Sequence, residues 1–164
     1  MSYCVKNMKT GPSREFGPGG SYTCNLYNGN KKIAEVFEAG DGGELDVRWI
    51  GDRTETVERN GYKFKATTEE VAFSKFCETQ TYVGEWDGKT RTYTPDLYIA
   101  KLADEYLTNR QIKGWCRNKT VVRMKSDGEG QFSTFNAKFS EKVKAALTAR
   151  YGNDILEFVN ERFA

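Results

Sequence analysis

The sequence contains no histidine in 164 residues. Histidine is the side chain whose ordinary pKa lies nearest neutrality, and it is the commonest general acid or base and the commonest metal ligand. Its absence removes Ser-His-Asp and Cys-His hydrolases, histidine-bearing zinc sites and phosphohistidine relays together. Carboxylate, lysine or tyrosine chemistry stays open, as does a protein with no chemistry of its own. Proline is scarce as well, with three in the chain. No apolar run approaches the ~18 residues of a membrane-spanning helix, and residues 1–22 lack the apolar centre of a secretory signal. A cytoplasmic protein with no membrane partner is therefore expected. The four cysteines (Cys4, Cys24, Cys77, Cys116) include no Cys-x-x-Cys pair, so the close ligand spacing of a structural metal is missing. They are expected to be reduced and to behave as small buried hydrophobes, with no cofactor.

What is present is aromatic and charged. Ten Phe, nine Tyr and three Trp supply a core, and 29% of residues carry charge. That composition is globular rather than disordered, and the length fits a single domain over residues 1–164. The net charge is only +2 but unevenly placed. From Glu35 to Glu58 eight acids face two arginines, a local −6, whereas Arg110 to Lys125 holds six bases and no acid. Such polarity favours a basic contact face, and it also permits pairing with a second copy as a homodimer.

The first half is punctuated as strands. Tyr3–Lys9 leads into a loop expected over Gly11-Pro12 and Gly17–Gly20, and Asn28-Gly29-Asn30 turns a hairpin between Ser21–Tyr27 and Lys31–Glu38. Leu45, Val47 and Trp49 alternate with Asp46 and Arg48, and Asn60-Gly61 turns a further hairpin. Thr67 and Glu70 have capping-box spacing ahead of a helix, and Gly84–Lys89 reads as a loop. Thr94-Pro95-Asp96 starts a longer helix with Ile99, Leu102, Ala103 and Tyr106 on one stripe. Thr120–Lys125 and Gln131–Phe135 form a hairpin. Ser140 opens a helix ended by Gly152, and Asn153 caps a second one carrying Ile155, Leu156, Val159 and Phe163. The class is α+β: a mainly antiparallel N-terminal sheet packed with helices from the second half, then a C-terminal hairpin and helix pair.

Three candidate sites can be weighed. Gly40-Asp41-Gly42-Gly43 lacks the Gly-Lys-Ser/Thr of a phosphate loop, carries Asp41 with Glu44 beside it, and lacks calcium-loop spacing, so it reads as a turn. Glu85 and Asp87 bracket Trp86 in a way that suits a sugar, but a solvated loop with one anchoring tryptophan is the stronger reading. The segment from Gly114 to Lys125 is the most site-like, because it interleaves an aromatic with Arg and Lys. Trp115, Arg117, Lys119 and Arg123 are the expected partner-binding residues, for an acidic protein surface or for nucleic acid.

Two stretches carry a resemblance. Asn25–Val36 followed by Gly40-Asp41-Gly42-Gly43, and Cys116–Arg123 with Tyr151-Gly152-Asn153 and Val159–Arg162, resemble small uncharacterised proteins of phages and bacterial mobile elements. The resemblance implies that context and transfers no activity. The function expected is a non-catalytic interaction protein, an anti-defence inhibitor of the anti-CRISPR type that blocks a host protein. Two alternatives are a nucleic-acid-binding accessory protein using residues 110–125, and a carboxylate-based hydrolase or nucleotide binder built on Asp41, Asp46 or Glu85.

Overall fold

The structure is a computed structural model that describes residues 2–13, 17–59, 61–128 and 130–163. It comprises two compact units, Met1–Tyr106 and Leu107–Ala164. The class is α+β, as the sequence implies.

The first unit is built on a four-stranded antiparallel sheet: β1 (Tyr3–Ser13), β2 (Gly17–Asn28), β3 (Lys31–Glu38) and β4 (Asp46–Trp49), in that order. Alternation makes one face apolar. Val5 lies opposite Leu26, Leu26 opposite Ala34, and Ala34 opposite Trp49. The same register sets Lys6, Asn25, Glu35 and Arg48 across the other face. One extra residue in β1, between Lys6 and Lys9, resets the alternation. Asn7 takes it up at φ +58°, and Met8 thereby returns to the core at 4% exposure.

The glycine- and proline-rich stretch expected as loop is strand instead. Pro12 lies on β1, an edge of the sheet, where a missing N–H breaks no ladder bond that the fold needs. The glycines permit close backbone approach: a Cβ on buried Gly40 would stand 2.1 Å from the Gly20 carbonyl oxygen. The expected hairpin turn is present, with Asn28 paired to Lys31 and Gly29 at φ +59°. A second ribbon joins β5 (Glu55–Arg59) to β6 (Tyr62–Ala66) through Gly61 at φ +80°; Asn60 of that turn lies outside the described residues.

Thr67 caps α1 (Thr68–Glu78) with Glu70 closing the reciprocal box, so the helix starts where the spacing says it should. Its Phe73 and Cys77 are fully buried, and Phe73 meets Tyr3 at 4.8 Å and Trp49 at 5.7 Å between ring centroids, which seats α1 on the apolar face. β7 (Thr81–Val83) and β8 (Thr90–Thr92) then form a short hairpin around the expected loop Gly84–Lys89. α2 (Pro95–Cys116) follows, opened by Thr94, whose Oγ1 accepts the Leu97 N–H. Ile99, Leu102 and Ala103 of its first half are buried and Tyr106 is half-buried.

The second unit takes the rest of α2 and a three-stranded antiparallel sheet, order β10 (Ser133–Phe135), β9 (Thr120–Met124), β11 (Ile155–Phe158). Central β9 splits its apolar residues between two clusters. Val121 joins Ile112 and Val159, backed by Trp115, Cys116, Phe132 and Phe163. Val122 and Met124 join Phe158, backed by residues of α3 (Glu141–Tyr151), whose N-cap is Ser140.

The second C-terminal helix is corrected. Ile155–Phe158 is strand and Val159–Phe163 is a 3-10 turn. Ile155 pairs with Met124 and Phe158 with Val122 around an irregularity at Leu156, so backbone pairing to β9 overrides a helix-like spacing of apolar residues. No helix among the described residues is long and apolar enough to cross a membrane.

Candidate interaction surfaces

The four expected contact residues all lie in the second unit, around the end of α2 and the start of β9, and they divide into two kinds. Trp115 is half-buried and packs against Ile112, Val121 and Val159, so its ring is spent on the core. Arg117 and Arg123 are exposed. Lys119 is half-buried, and its backbone is fixed at both ends: its N–H donates to the Trp115 carbonyl at 3.0 Å, and its carbonyl accepts from Asn160 at 2.9 Å. Arg123 stands opposite Glu157 on β11. That carboxylate is already engaged by the Arg162 guanidinium, which holds it below the usual carboxylate range, with the Arg123 charge adding a smaller pull.

None of Arg110, Lys113, Arg117, Lys119, Arg123 and Lys125 forms an ion pair among the described residues. The unit as a whole holds eleven bases and six acids, a net +5, which leaves −3 for residues 1–106. The expected basic segment is thus a set of cations that form no ion pair among the described residues, carried on a packed scaffold.

The first unit presents a different feature. Trp86 is 100% exposed at the tip of the β7–β8 hairpin. It anchors nothing in this chain, contrary to the reading of an anchoring tryptophan. The turn that carries it is braced. The Gly84 N–H donates to the Lys89 carbonyl and the Gly88 N–H to the Gly84 carbonyl, each at 2.9 Å. Asp87 accepts the Lys89 N–H at 3.2 Å and binds Arg91 at 2.8 Å. A Cβ on Gly84 would stand 2.3 Å from the Arg91 guanidinium and would push that side chain aside, and Gly88 sits at φ +63°. Below the tip, Tyr82 stacks on Tyr93 at 4.7 Å, Tyr93 meets Tyr98 at 5.2 Å, and Tyr98 meets Phe76 at 5.3 Å. An aromatic chain therefore ties the hairpin to the core while its tip stays in water. Neighbouring Val83 is 63% exposed. Burying a tryptophan removes on the order of 150–250 Å², roughly 4–6 kcal/mol by area, and this fold forgoes all of it.

The carboxylates named for a hydrolase are not gathered. Asp41 accepts the N–H of Gly43 in its own exposed loop, at 3.0 Å. Glu85 is exposed beside Trp86. Asp46 borders an open concavity of about 370 Å³ on the charged face of the large sheet, with Lys9, Glu35 and Arg48. The carboxyls pushed upward are others, Asp96 and Asp104 on α2, both by partial desolvation and Asp96 also by the nearby Glu44 charge. Asp96, Glu44, Glu70 and Arg59 share a smaller pocket of about 210 Å³, where Glu70 is engaged as the helix cap.

All four cysteines are free thiols, Cys24 and Cys77 buried, Cys4 and Cys116 half-buried. Burial pushes Cys24 up to about 11 and Cys77 up to about 12. Among the described residues no group of three or more Cys, Asp and Glu converges as a metal site. No protein-family model matches the chain, and neither the curated proteins nor the solved structures contain a significant match.

Proposed function

We propose that this chain is a non-catalytic interaction protein, an inhibitor of the phage or mobile-element kind its motifs resemble, which acts by docking on a host protein and covering a working surface. Trp86 carries the reading. A tryptophan held in water on a braced turn is pre-organised for insertion into an apolar pocket, so little side-chain or loop ordering opposes binding. Tryptophan is also among the residues that dominate protein interfaces when they become buried there. Its flanks favour protein over nucleic acid, because Glu85 and Asp87 stand next to the ring and carboxylates repel phosphate.

The test is affinity capture from bacterial lysate with wild type and Trp86→Ala, each with and without nuclease. The expected result is one host protein retained by wild type in both arms. The variant should bind it at least about 30-fold more weakly, the loss that corresponds to a hot spot of about 2 kcal/mol. Purified, that host protein should lose activity on adding the wild-type chain. Equal capture of that protein by the variant, or no protein that wild type retains after nuclease treatment, would overturn the reading.

A further inference from the structure

The cations of the second unit form a pattern that the Trp86 reading does not use. The spacing that places Ile99, Leu102, Ala103 and Tyr106 on one stripe of α2 continues to 110, 113 and 117. There the stripe is Arg110, Lys113 and Arg117, all exposed. At 100° per residue Arg110 and Lys113 lie about 60° apart around α2 and about 4.5 Å apart along its axis. Arg117 stands just past the last helical residue, with its N–H still directed back to the Gly114 carbonyl at 3.4 Å. Among the described residues no acid of the unit forms an ion pair with this row. Asp127 accepts from the Met124 N–H and the Ser133 hydroxyl, Glu157 is taken by Arg162, and Glu161 by Lys144.

We infer that this row is a phosphate track for double-stranded nucleic acid, bound without regard to sequence. Two observations separate that partner from an acidic protein and from a single strand. Protein interfaces bury an apolar centre poor in charge, and Leu156 on β11 is the one exposed large hydrophobic of this unit among the described residues. Interfaces with nucleic acid are instead polar and strongly basic. Single strands are held largely by stacking bases on exposed rings. Here Trp115, Phe132 and Phe163 pack into one core cluster, and Phe135, Phe139 and Tyr151 into the other. What remains available is charge in a line, which suits the evenly spaced phosphates of a duplex backbone. Asn109 and Asn118, next to Arg110 and Arg117 in the chain, are also exposed and add uncharged donors.

The experiment is fluorescence anisotropy of a labelled mixed-sequence DNA duplex titrated with the full chain over a KCl series. A single strand of the same length and poly-glutamate are run alongside. Wild type is expected to bind the duplex with log affinity falling linearly in log salt. The triple variant Arg110→Gln, Lys113→Gln, Arg117→Gln should flatten that slope by about 2.7, and Lys113→Gln alone by about 0.9. Circular dichroism should show both variants folded, since all three side chains are exposed. Trp86→Ala should leave the slope unchanged, so this inference and the docking reading can fail separately. Three outcomes would overturn it: no duplex binding at low salt, a slope unmoved in the folded variants, or tighter binding of the single strand or of poly-glutamate.

Discussion

At the scale of single residues, Asn160 shows how much one buried polar side chain can organise. It is 6% exposed, its Oδ1 accepts the Val121 N–H at 2.7 Å, and its Nδ2 donates to the carbonyls of Lys119 at 2.9 Å and Cys116 at 3.2 Å. The side chain therefore ties the 3-10 turn after β11 to the turn between α2 and β9, the place that presents Arg117 and Lys119. Asn160→Ala leaves a buried N–H without an acceptor, and we expect it to lower the unfolding free energy by about 3 kcal/mol in urea denaturation. Asn160→Asp should be no better, because a carboxylate would face two carbonyls. The same scale separates the two tryptophans near charged residues. In sequence, Trp115 among Arg and Lys looks like the contact residue and Trp86 among acids looks like a loop anchor. The structure reverses their surroundings, because the charge of sequence neighbours does not report which way a ring points.

Among elements, the well-signalled ones are those whose ends are chemical. Thr67 and Glu70, Thr94 with Pro95, and Ser140 each meet the unsatisfied N–H groups of a helix start, so the residue type is dictated locally. Thr67→Ala should cost about 1 kcal/mol in thermal or urea unfolding, with Thr67→Ser close to wild type, because Oγ must accept the Glu70 N–H. The elements without such a local signal differ in their causes. β7 and β8 are three residues each, nearly all exposed, so they carry no apolar alternation to detect. β11 carries apolar residues at a helical interval and becomes strand because β9 offers it a free edge. The Gly/Pro segments of β1 and β2 look like loop because their residues avoid ordinary strands, whereas here Pro12 lies on an edge strand that tolerates it and Gly40 packs closely on the Gly20 carbonyl.

For the whole molecule, charge sets the behaviour with pH. Glu69 is held below the usual carboxylate range by a hydrogen bond from Lys31, and Glu157 by one from Arg162. A carboxylate whose folded pKa is depressed contributes stability that is complete above its unfolded value and is lost as pH falls through the folded value. With an unfolded value of 4.5 for glutamate, unfolding free energy from urea titrations should hold down to about pH 5 and then fall. The variants Glu69→Gln and Glu157→Gln should be less stable than wild type at neutral pH and converge with it in acid. Asp96 and Asp104 act in the opposite sense. Their raised values mean that protonation relieves the folded state, so they oppose the acid loss.

The sequence by itself determined the α+β class, the starts of α1, α2 and α3, the hairpin turns at Gly29 and Gly61, and the existence of a basic stretch between residues 110 and 125, because each depends on side-chain type at short range. Only the tertiary structure decided which tryptophan is exposed, that Arg110, Lys113 and Arg117 stand without ion-pair partners among the described residues, and that the last apolar segment is a strand. Those outcomes depend on what lies opposite each residue in space, and pairing partners far along the chain supply it.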